Sequence, residues 1–280
     1  LSFSSGRFLA NDGNTGIGNA SNAFVLNGSL GGQTTLIPNS GLVYGFDSLT
    51  VNGGATLALP AGTVIKPALN SGLLYVYGSL LATGTPANPV IFTSIRDDTV
   101  GGDTNKDGNT TSPAPGDWGA VVVYGGGTAN LDNTVLRYGG RHLYTNAPCY
   151  CYPDALVFAN GGNLLLSNAV LSQSQYDAIG GNGGTLSVVS STLSANGRSG
   201  INTSSVTAPA IRNSTFSGNS QYGVYMAGVG TLVIPNSIFT GNGQAGIYAT
   251  SSTVLSVTSS AFSNNGVRGI YASGVVTAVI

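Results

Sequence analysis

A 23-residue repeat is the feature that most constrains the fold of this chain. Four segments, "STLSANGRSGIN", "STFSGNSQYGVY", "SIFTGNGQAGIY" and "SAFSNNGVRGIY", align at this spacing. Each copy keeps an apolar residue, an asparagine, a glycine and a β-branched apolar residue in phase. The members are Leu193, Phe216, Phe239 and Phe262; Asn196, Asn219, Asn242 and Asn265; Gly200, Gly223, Gly246 and Gly269; and Ile201, Val224, Ile247 and Ile270. A repeat of this length indicates structural units that stack on one another.

The composition indicates that the stacked units are made of strands. Gly accounts for 43 of the 280 residues, only 7% are charged, and the chain contains no glutamate, so strong helix formers are scarce. We therefore predict an all-β fold, a parallel β-solenoid with about three short strands in each ~23-residue coil. Equivalent residues would then stack ~4.8 Å apart. The asparagines would form a ladder of amides at one corner, where Asn tolerates a left-handed backbone.

The repeat is looser upstream and predicts two loop insertions. Phe92 and Leu136 match the apolar ladder position, but the intervals around them exceed one coil. Insertions at 97–117 and 139–154 account for the excess. Both insertions leave the coil just after the same ladder position, at the corner that carries the asparagine ladder lower down. We therefore expect them to touch each other on one edge of the rod.

The chain divides into two predicted regions. Residues 1–40 are interpreted as an N-terminal cap or first irregular coils, and residues 41–280 as the β-helix with its insertions. The chain begins at Leu1 and ends on the apolar run "GVVTAVI", so we expect a fragment of a larger protein. No apolar run approaches ~18 residues, which predicts no membrane insertion within this chain. A net charge of −1 gives no strong field that would attract nucleic acid or an anionic membrane.

A family resemblance extends this interpretation. The chain contains "PVIFTS" at 89–94 followed by "GDWG" at 116–119, and it resembles secreted bacterial proteins with right-handed parallel β-helix repeats, of the pectate-lyase-like group. The resemblance implies a right-handed β-helix and an extracellular or cell-surface location. It does not select a function, because the group includes lyases, adhesins and pilus-associated domains.

The first insertion carries a candidate calcium site. Residues 103–108, "DTNKDG", match the opening of a calcium loop of the EF-hand type, although position twelve is Ala114 rather than a glutamate. Five of the ten acids fall at 97–117, and like charges packed this densely repel one another unless a cation neutralises them. The alternative is a solvated turn without metal. The candidate ligands of a structural Ca²⁺ are Asp98, Asp103, Asn105, Asp107, Asn109 and Asp117.

The second insertion is a candidate contact surface. It holds both cysteines, the chain's only histidine and several tyrosines, which suit contact with sugar, protein or stacked bases. Cys149 and Cys151 would close a very small disulfide ring; free thiols, intermolecular thiols and a metal site with His142 are the alternatives. The tyrosines would otherwise only pack the insertion. The candidate binding residues here are Arg141, His142, Tyr144, Tyr150 and Tyr152.

A second candidate surface follows from the repeat itself. Tyr225, Tyr248 and Tyr271 recur every 23 residues, each directly after a predicted inward-facing residue. Alternation along a strand places these tyrosines outside, as a strip of stacked rings. The alternative is an exposed β-surface with high strand propensity and no ligand.

These features favour a non-catalytic extracellular stalk or binding module of a bacterial surface protein, with polysaccharide, a surface protein or DNA as partner. One rival is a polysaccharide lyase or glycoside hydrolase, which needs clustered carboxylates; Arg96, Arg137 and Arg141 are the candidate bases, but no acid follows Asp177. The second rival is a DNA-contacting domain of a type IV pilin-like tip protein, which would require a basic strip.

Overall fold

The chain folds into stacked coils made of three parallel sheets. The computed structural model describes residues 2–6, 14, 16, 19, 21–38, 42–142, 154–252 and 254–280. Within these ranges there are strands, turns and loops but no helix. Each coil contributes one strand to each sheet, giving one sheet of eleven strands, sheet A, and two of ten strands, sheets B and C. The predicted all-β solenoid with three strands per coil is confirmed.

The strands are numbered in chain order. Sheet A contains β1 (Ser2–Gly6), β3 (Asn27–Leu30), β6 (Ser48–Val51), β9 (Leu73–Val76), β12 (Val121–Tyr124), β15 (Ala155–Asn160), β18 (Asp177–Asn182), β21 (Ile201–Ser204), β24 (Tyr222–Ala227), β27 (Ala245–Thr250) and β30 (Arg268–Ser273). Sheet B contains β4 (Gln33–Thr35), β7 (Thr56–Pro60), β10 (Ser79–Thr83), β13 (Thr128–Asp132), β16 (Asn163–Ser167), β19 (Thr185–Val189), β22 (Thr207–Arg212), β25 (Thr231–Pro235), β28 (Val254–Thr258) and β31 (Thr277–Val279). Sheet C contains β2 (Ala23–Val25), β5 (Val43–Gly45), β8 (Val64–Ile65), β11 (Val90–Phe92), β14 (Thr134–Arg137), β17 (Val170–Ser172), β20 (Thr192–Ser194), β23 (Thr215–Ser217), β26 (Ile238–Thr240) and β29 (Ala261–Ser263).

The core is a set of apolar ladders that run along the axis. Phe216 pairs in register with Phe239, and Phe239 with Phe262. Their rings stack with centroids 5.0 and 4.9 Å apart, and the first two are fully buried. Upstream, Phe92 pairs with Leu136 and Leu136 with Leu171, as the sequence predicted across the two insertions.

The predicted asparagine ladder is present at the corner between sheets C and A. The side-chain amide of Asn219 donates to Oδ1 of Asn242 over 2.9 Å, and the amide of Asn242 donates to Oδ1 of Asn265 over 2.9 Å. Asn242 also donates to the carbonyl of Phe216 over 3.1 Å. These bonds satisfy amides that are otherwise buried in an apolar corner.

The backbone explanation for this ladder was wrong. The ladder asparagines do not have positive φ; the residue before each one does. These preceding residues are Ala195, Gly218, Gly241 and Asn264, with φ of 54°, 62°, 64° and 54°. The left-handed residue turns the chain, which frees the asparagine to point its amide inward.

Both insertions join sheet C to sheet A, as predicted. Their described ends are in contact: Gly116 N donates to Gly139 O over 3.1 Å, and the Arg141 guanidinium donates to Gly116 O over 3.3 Å. Residues 143–153 lie outside the described part of the chain. Within residues 1–40, strands β2, β3 and β4 each belong to one of the three sheets.

Replacing Asn242 with alanine should lower the free energy of unfolding by roughly 2–4 kcal/mol, because the Asn219 amide and the Phe216 carbonyl then lose buried partners. Urea unfolding monitored by circular dichroism measures this change. Asn265→Ala, in the half-buried last rung, is the matched comparison and should cost less. Equal losses for the two variants would show that burial of the ladder contributes little.

Candidate functional site

Ion pairs hold two of the five acids of the first insertion. Asp97 is fully buried and pairs with Arg137 over 2.6 Å, and Asp117 pairs with Arg96 over 3.0 Å. Burial disfavours the charged form of Asp97. Hydrogen bonds from Thr93 and Thr99, together with Arg137, nevertheless hold the pKa of Asp97 below its usual value. These two pairs fasten the ends of the loop to the coils. Asp117 is therefore not brought to the other candidate calcium ligands.

The remaining three acids of the insertion form a cluster. Asp98, Asp103 and Asp107 each offer a carboxylate oxygen, and these oxygens lie within 4.8 Å of one another. The loop is folded around them: Asp103 accepts hydrogen bonds from the backbone N–H groups of Asp107 and Gly108, over 3.2 and 3.1 Å. Asn105 donates its amide to Asp107 over 2.8 Å. The structure thus unites three of the predicted acidic ligands and Asn105 in one turn.

Two oxygens of this turn are buried without a hydrogen-bond partner, namely Oδ1 of Asp98 and Oδ1 of Asn105. Buried acceptors of this kind are rare because each forfeits its interaction with water. Burial and the neighbouring charge of Asp103 raise the pKa of Asp98. The fully buried Lys66 lies near the acids, but its ammonium donates hydrogen bonds to the carbonyl of Gly102 and the hydroxyl of Thr104, both over 2.8 Å.

The donor set of the cluster suits a hard cation. Carboxylate and amide oxygens are the ligands that Ca²⁺ takes in proteins. Asn109, predicted to add a carbonyl, is exposed and has a φ of 66°, one position after the turn glycine Gly108. Asn109 therefore lies in the same loop as the cluster formed by the three aspartates.

The described ends of the second insertion belong to a polar network. His142 Nδ1 lies 2.6 Å from Asp154 Oδ1, and Asp154 Oδ2 lies 3.7 Å from Arg198. Arg141 is turned toward the first insertion through Gly116. The other predicted residues, Tyr144, Cys149, Tyr150, Cys151 and Tyr152, lie outside the described residues.

The tyrosine strip lies on the outer face of sheet A. Tyr225, Tyr248 and Tyr271 are half-buried, pair in register, and stack with ring centroids 5.2 and 4.6 Å apart. Tyr222, which the sequence analysis missed, adds a fourth ring 5.0 Å from Tyr248. The Arg268 guanidinium lies 5.2 Å from the centre of the Tyr271 ring. We call these four tyrosines the tyrosine strip.

A second aromatic patch on the same face was also missed. The rings of Tyr77 and Tyr124 stack 4.6 Å apart, and Tyr75 lies 6.2 Å from Tyr124. Tyr75, Tyr124 and Phe158 pack against a small buried cluster that includes Val122 and is separate from the core. The alternation in "LLYVYG" could have indicated that Tyr75 and Tyr77 face outward. Their partner Tyr124 was hard to identify because the insertions make the intervals between coils irregular.

One register row connects the two aromatic patches. Its members pair successively across sheet A. They are Tyr75, Val122, Phe158, Gly180, Asn202, Tyr225, Tyr248 and Tyr271. The outer face of sheet A therefore presents aromatic rings near both ends of the row, with a glycine and an asparagine between them.

Comparison with known proteins supports the fold assignment. Searches of curated proteins and of solved structures gave no match. None of the described residues forms a helix with the length and hydrophobicity of a membrane span. The family model described as "Right handed beta helix region" matches residues 119–279, more than half of the chain. The chain therefore belongs to the right-handed β-helix family.

Proposed function

We propose that this protein is a non-catalytic, extracellular β-helix binding module of a surface protein, and that it binds polysaccharide along the outer face of sheet A. The observation that carries the proposal is the tyrosine strip, in which Tyr225, Tyr248 and Tyr271 stack on a rigid sheet while remaining partly exposed. Each ring has an apolar face and a polar hydroxyl. Sugar rings offer the complementary C–H face and hydroxyl rim.

The regular spacing of the rings favours a polymer. Parallel coils repeat every ~4.8 Å, so each coil presents the same contact to a ligand that runs along the axis. In the described part of the chain, the cation found over a ring of the strip is Arg268, which lies over Tyr271. Neutral sugars suit such a surface better than DNA, whose binding depends on many Lys and Arg contacts with phosphate.

Two acids of the first insertion are engaged in ways that favour binding over catalysis there. Hydrolysis of a glycosidic bond uses two carboxylates on either side of that bond. Asp97 and Asp117 are held in ion pairs with Arg137 and Arg96. The same pairs occupy two of the three arginines considered as lyase bases, and the third, Arg141, donates to a backbone carbonyl.

We further propose that Ca²⁺ binds the turn formed by Asp98, Asp103, Asn105 and Asp107. Three neighbouring carboxylates and two unpartnered buried oxygens support this assignment. The ion would neutralise the acids and stiffen the first insertion beside sheet A. Its role would be structural, since the loop is fastened to the coils by the buried Asp97–Arg137 pair.

Replacing Tyr248 with alanine should weaken polysaccharide binding by about 3- to 10-fold, since one stacked ring contributes ~0.5–1.5 kcal/mol. Tyr248 is the best target because it stacks on Tyr225 and Tyr271 and touches Tyr222. A polysaccharide array first identifies the ligand, and titration calorimetry then measures its Kd for each variant.

Val233→Ala is the matched control, because Val233 is 41% exposed on sheet B. It should bind as the original protein does. Unchanged affinity in a Tyr225→Ala, Tyr248→Ala double variant with normal circular dichroism would refute the strip. Loss of binding in a Tyr144→Ala, Tyr150→Ala, Tyr152→Ala variant would then assign the site to the second insertion.

Millimolar Ca²⁺ should raise the melting temperature relative to chelator-treated protein, because a ligand that binds only the folded state stabilises it. Asp103→Asn should abolish this calcium-dependent increase. Asp132→Asn, which changes an acid outside the cluster, should retain it. A melting temperature that does not respond to calcium would support the metal-free turn.

A further inference from the structure

A pocket interrupts the outer row of sheet A between Phe158 and Tyr225. Its volume is about 270 Å³, and its floor includes Gly180 and Gly181. A Cβ atom on Gly180 would lie only 3.2 Å from the Phe158 ring. The Phe158 ring therefore lies beside the bare backbone of Gly180, and it forms one wall of the pocket.

Hydrogen bonds fix the polar part of the pocket lining. The buried Asp177 carboxylate accepts hydrogen bonds from Arg198 over 2.6 and 3.1 Å, from the Ser199 N–H over 2.8 Å and from the Asn202 amide over 3.0 Å. Burial raises the pKa of Asp177, and these four donors oppose that shift. Because Asn202 donates to Asp177, its amide orientation is fixed, and its oxygen is the atom left to accept from a ligand.

The groups that line the pocket mix donors with acceptors. Asp154 is 26% exposed and Arg198 is 30% exposed, and they form a 3.7 Å ion pair. Asn182 and Ser204 complete the polar lining. Arg198 is the single cation of the lining and it faces two carboxylates, so a phosphate or another anion has no uncompensated charge to bind.

The chemistry of the pocket therefore selects a neutral ring that carries hydroxyl groups. A phenylalanine ring packs on an apolar ring face, while Asp, Asn, Ser and Arg groups bind hydroxyls as both donors and acceptors. The volume lies just below the usual ~300–1,000 Å³ range of ligand pockets, which suits one small ring rather than a larger molecule. A nucleotide is the competing ligand, but its phosphate would meet the carboxylate of Asp154.

We propose that this pocket seats a single neutral sugar unit, and that the adjoining units of the same polysaccharide lie across the tyrosine strip. This inference rests on the proposed function. It adds a specificity site: the strip binds sugar rings in general, whereas the pocket selects one unit by its hydroxyl pattern and its lack of charge. Register supports the connection, since Gly180, Asn202 and Tyr225 are consecutive members of one row.

The test fills the pocket from its exposed edge. Asn182→Trp places a large ring in the pocket without removing a buried contact, and Asn182→Ala removes one hydrogen-bonding group. Val233→Trp, on the outer face of sheet B, is the matched control. Each variant is applied to an array of neutral, uronate-containing and sulfated polysaccharides together with single-stranded oligo-dT, and the Kd of the best ligand is measured by calorimetry.

We expect the original protein and Val233→Trp to bind neutral polysaccharides. Asn182→Trp should weaken that binding at least tenfold, and Asn182→Ala about fivefold, as expected for one lost hydrogen bond. Tyr248→Ala should weaken binding without changing which neutral sugars are selected. Full affinity in Asn182→Trp, with the Tyr248→Ala effect intact, would overturn the pocket alone.

Other outcomes separate the two proposals further. Preference for uronates, sulfated chains or oligo-dT would overturn the assignment of a neutral sugar. Absence of binding to every polysaccharide, with all variants folded, would overturn the proposed function and the pocket together.

Discussion

The stacking of each residue on its equivalent in the next coil is the interaction on which this structure depends. Backbone hydrogen bonds join successive parallel strands in all three sheets. Side chains such as Phe239 contact the corresponding side chains in the coils above and below. The buried asparagine ladder makes the dependence strict. An isolated Asn242 would leave a polar amide in an apolar corner, whereas its neighbours satisfy it on both sides. A single coil is therefore not a stable unit, because each coil depends on its contacts with the neighbouring coils.

Much of this arrangement follows from the period alone. The 23-residue phase predicted which residues face inward, where the amides stack and which corner carries the insertions. The local backbone at that corner was not predictable in the same way, because Ala195 and Asn264 share a left-handed conformation with Gly218 and Gly241 although they are different residue types. When the stacked coils impose the conformation of a turn, residue type at that turn varies and does not predict it.

Pairs between neighbouring coils of unequal length were harder to predict. Phe158, Gly180, Asn202 and Tyr225 fall in one row, although the coils between them differ in length. The first two intervals along this row are 22 residues long and the third is 23. Asp177 and Arg198 meet for the same reason. Two cations from adjacent coils, Lys66 and Arg137, lie close to the acids of the first insertion. The local acid excess is accordingly smaller than it looked, and it is concentrated in three residues rather than five.

The shape of the coil explains why the candidate binding features gather around sheet A. In the regular coils, residues 236–237 join sheets B and C, and residues 228–230 join sheets A and B. Such tight corners hold no loop that reaches over a neighbouring face. The described ends of both insertions lie at the remaining corner, between sheets C and A. That face combines a rigid floor, stacked aromatic rings and adjacent loops. Ion pairs and the acid cluster hold the acids of the first insertion near that corner. The proposed polysaccharide would therefore bind the face of sheet A by ring packing and hydroxyl hydrogen bonds.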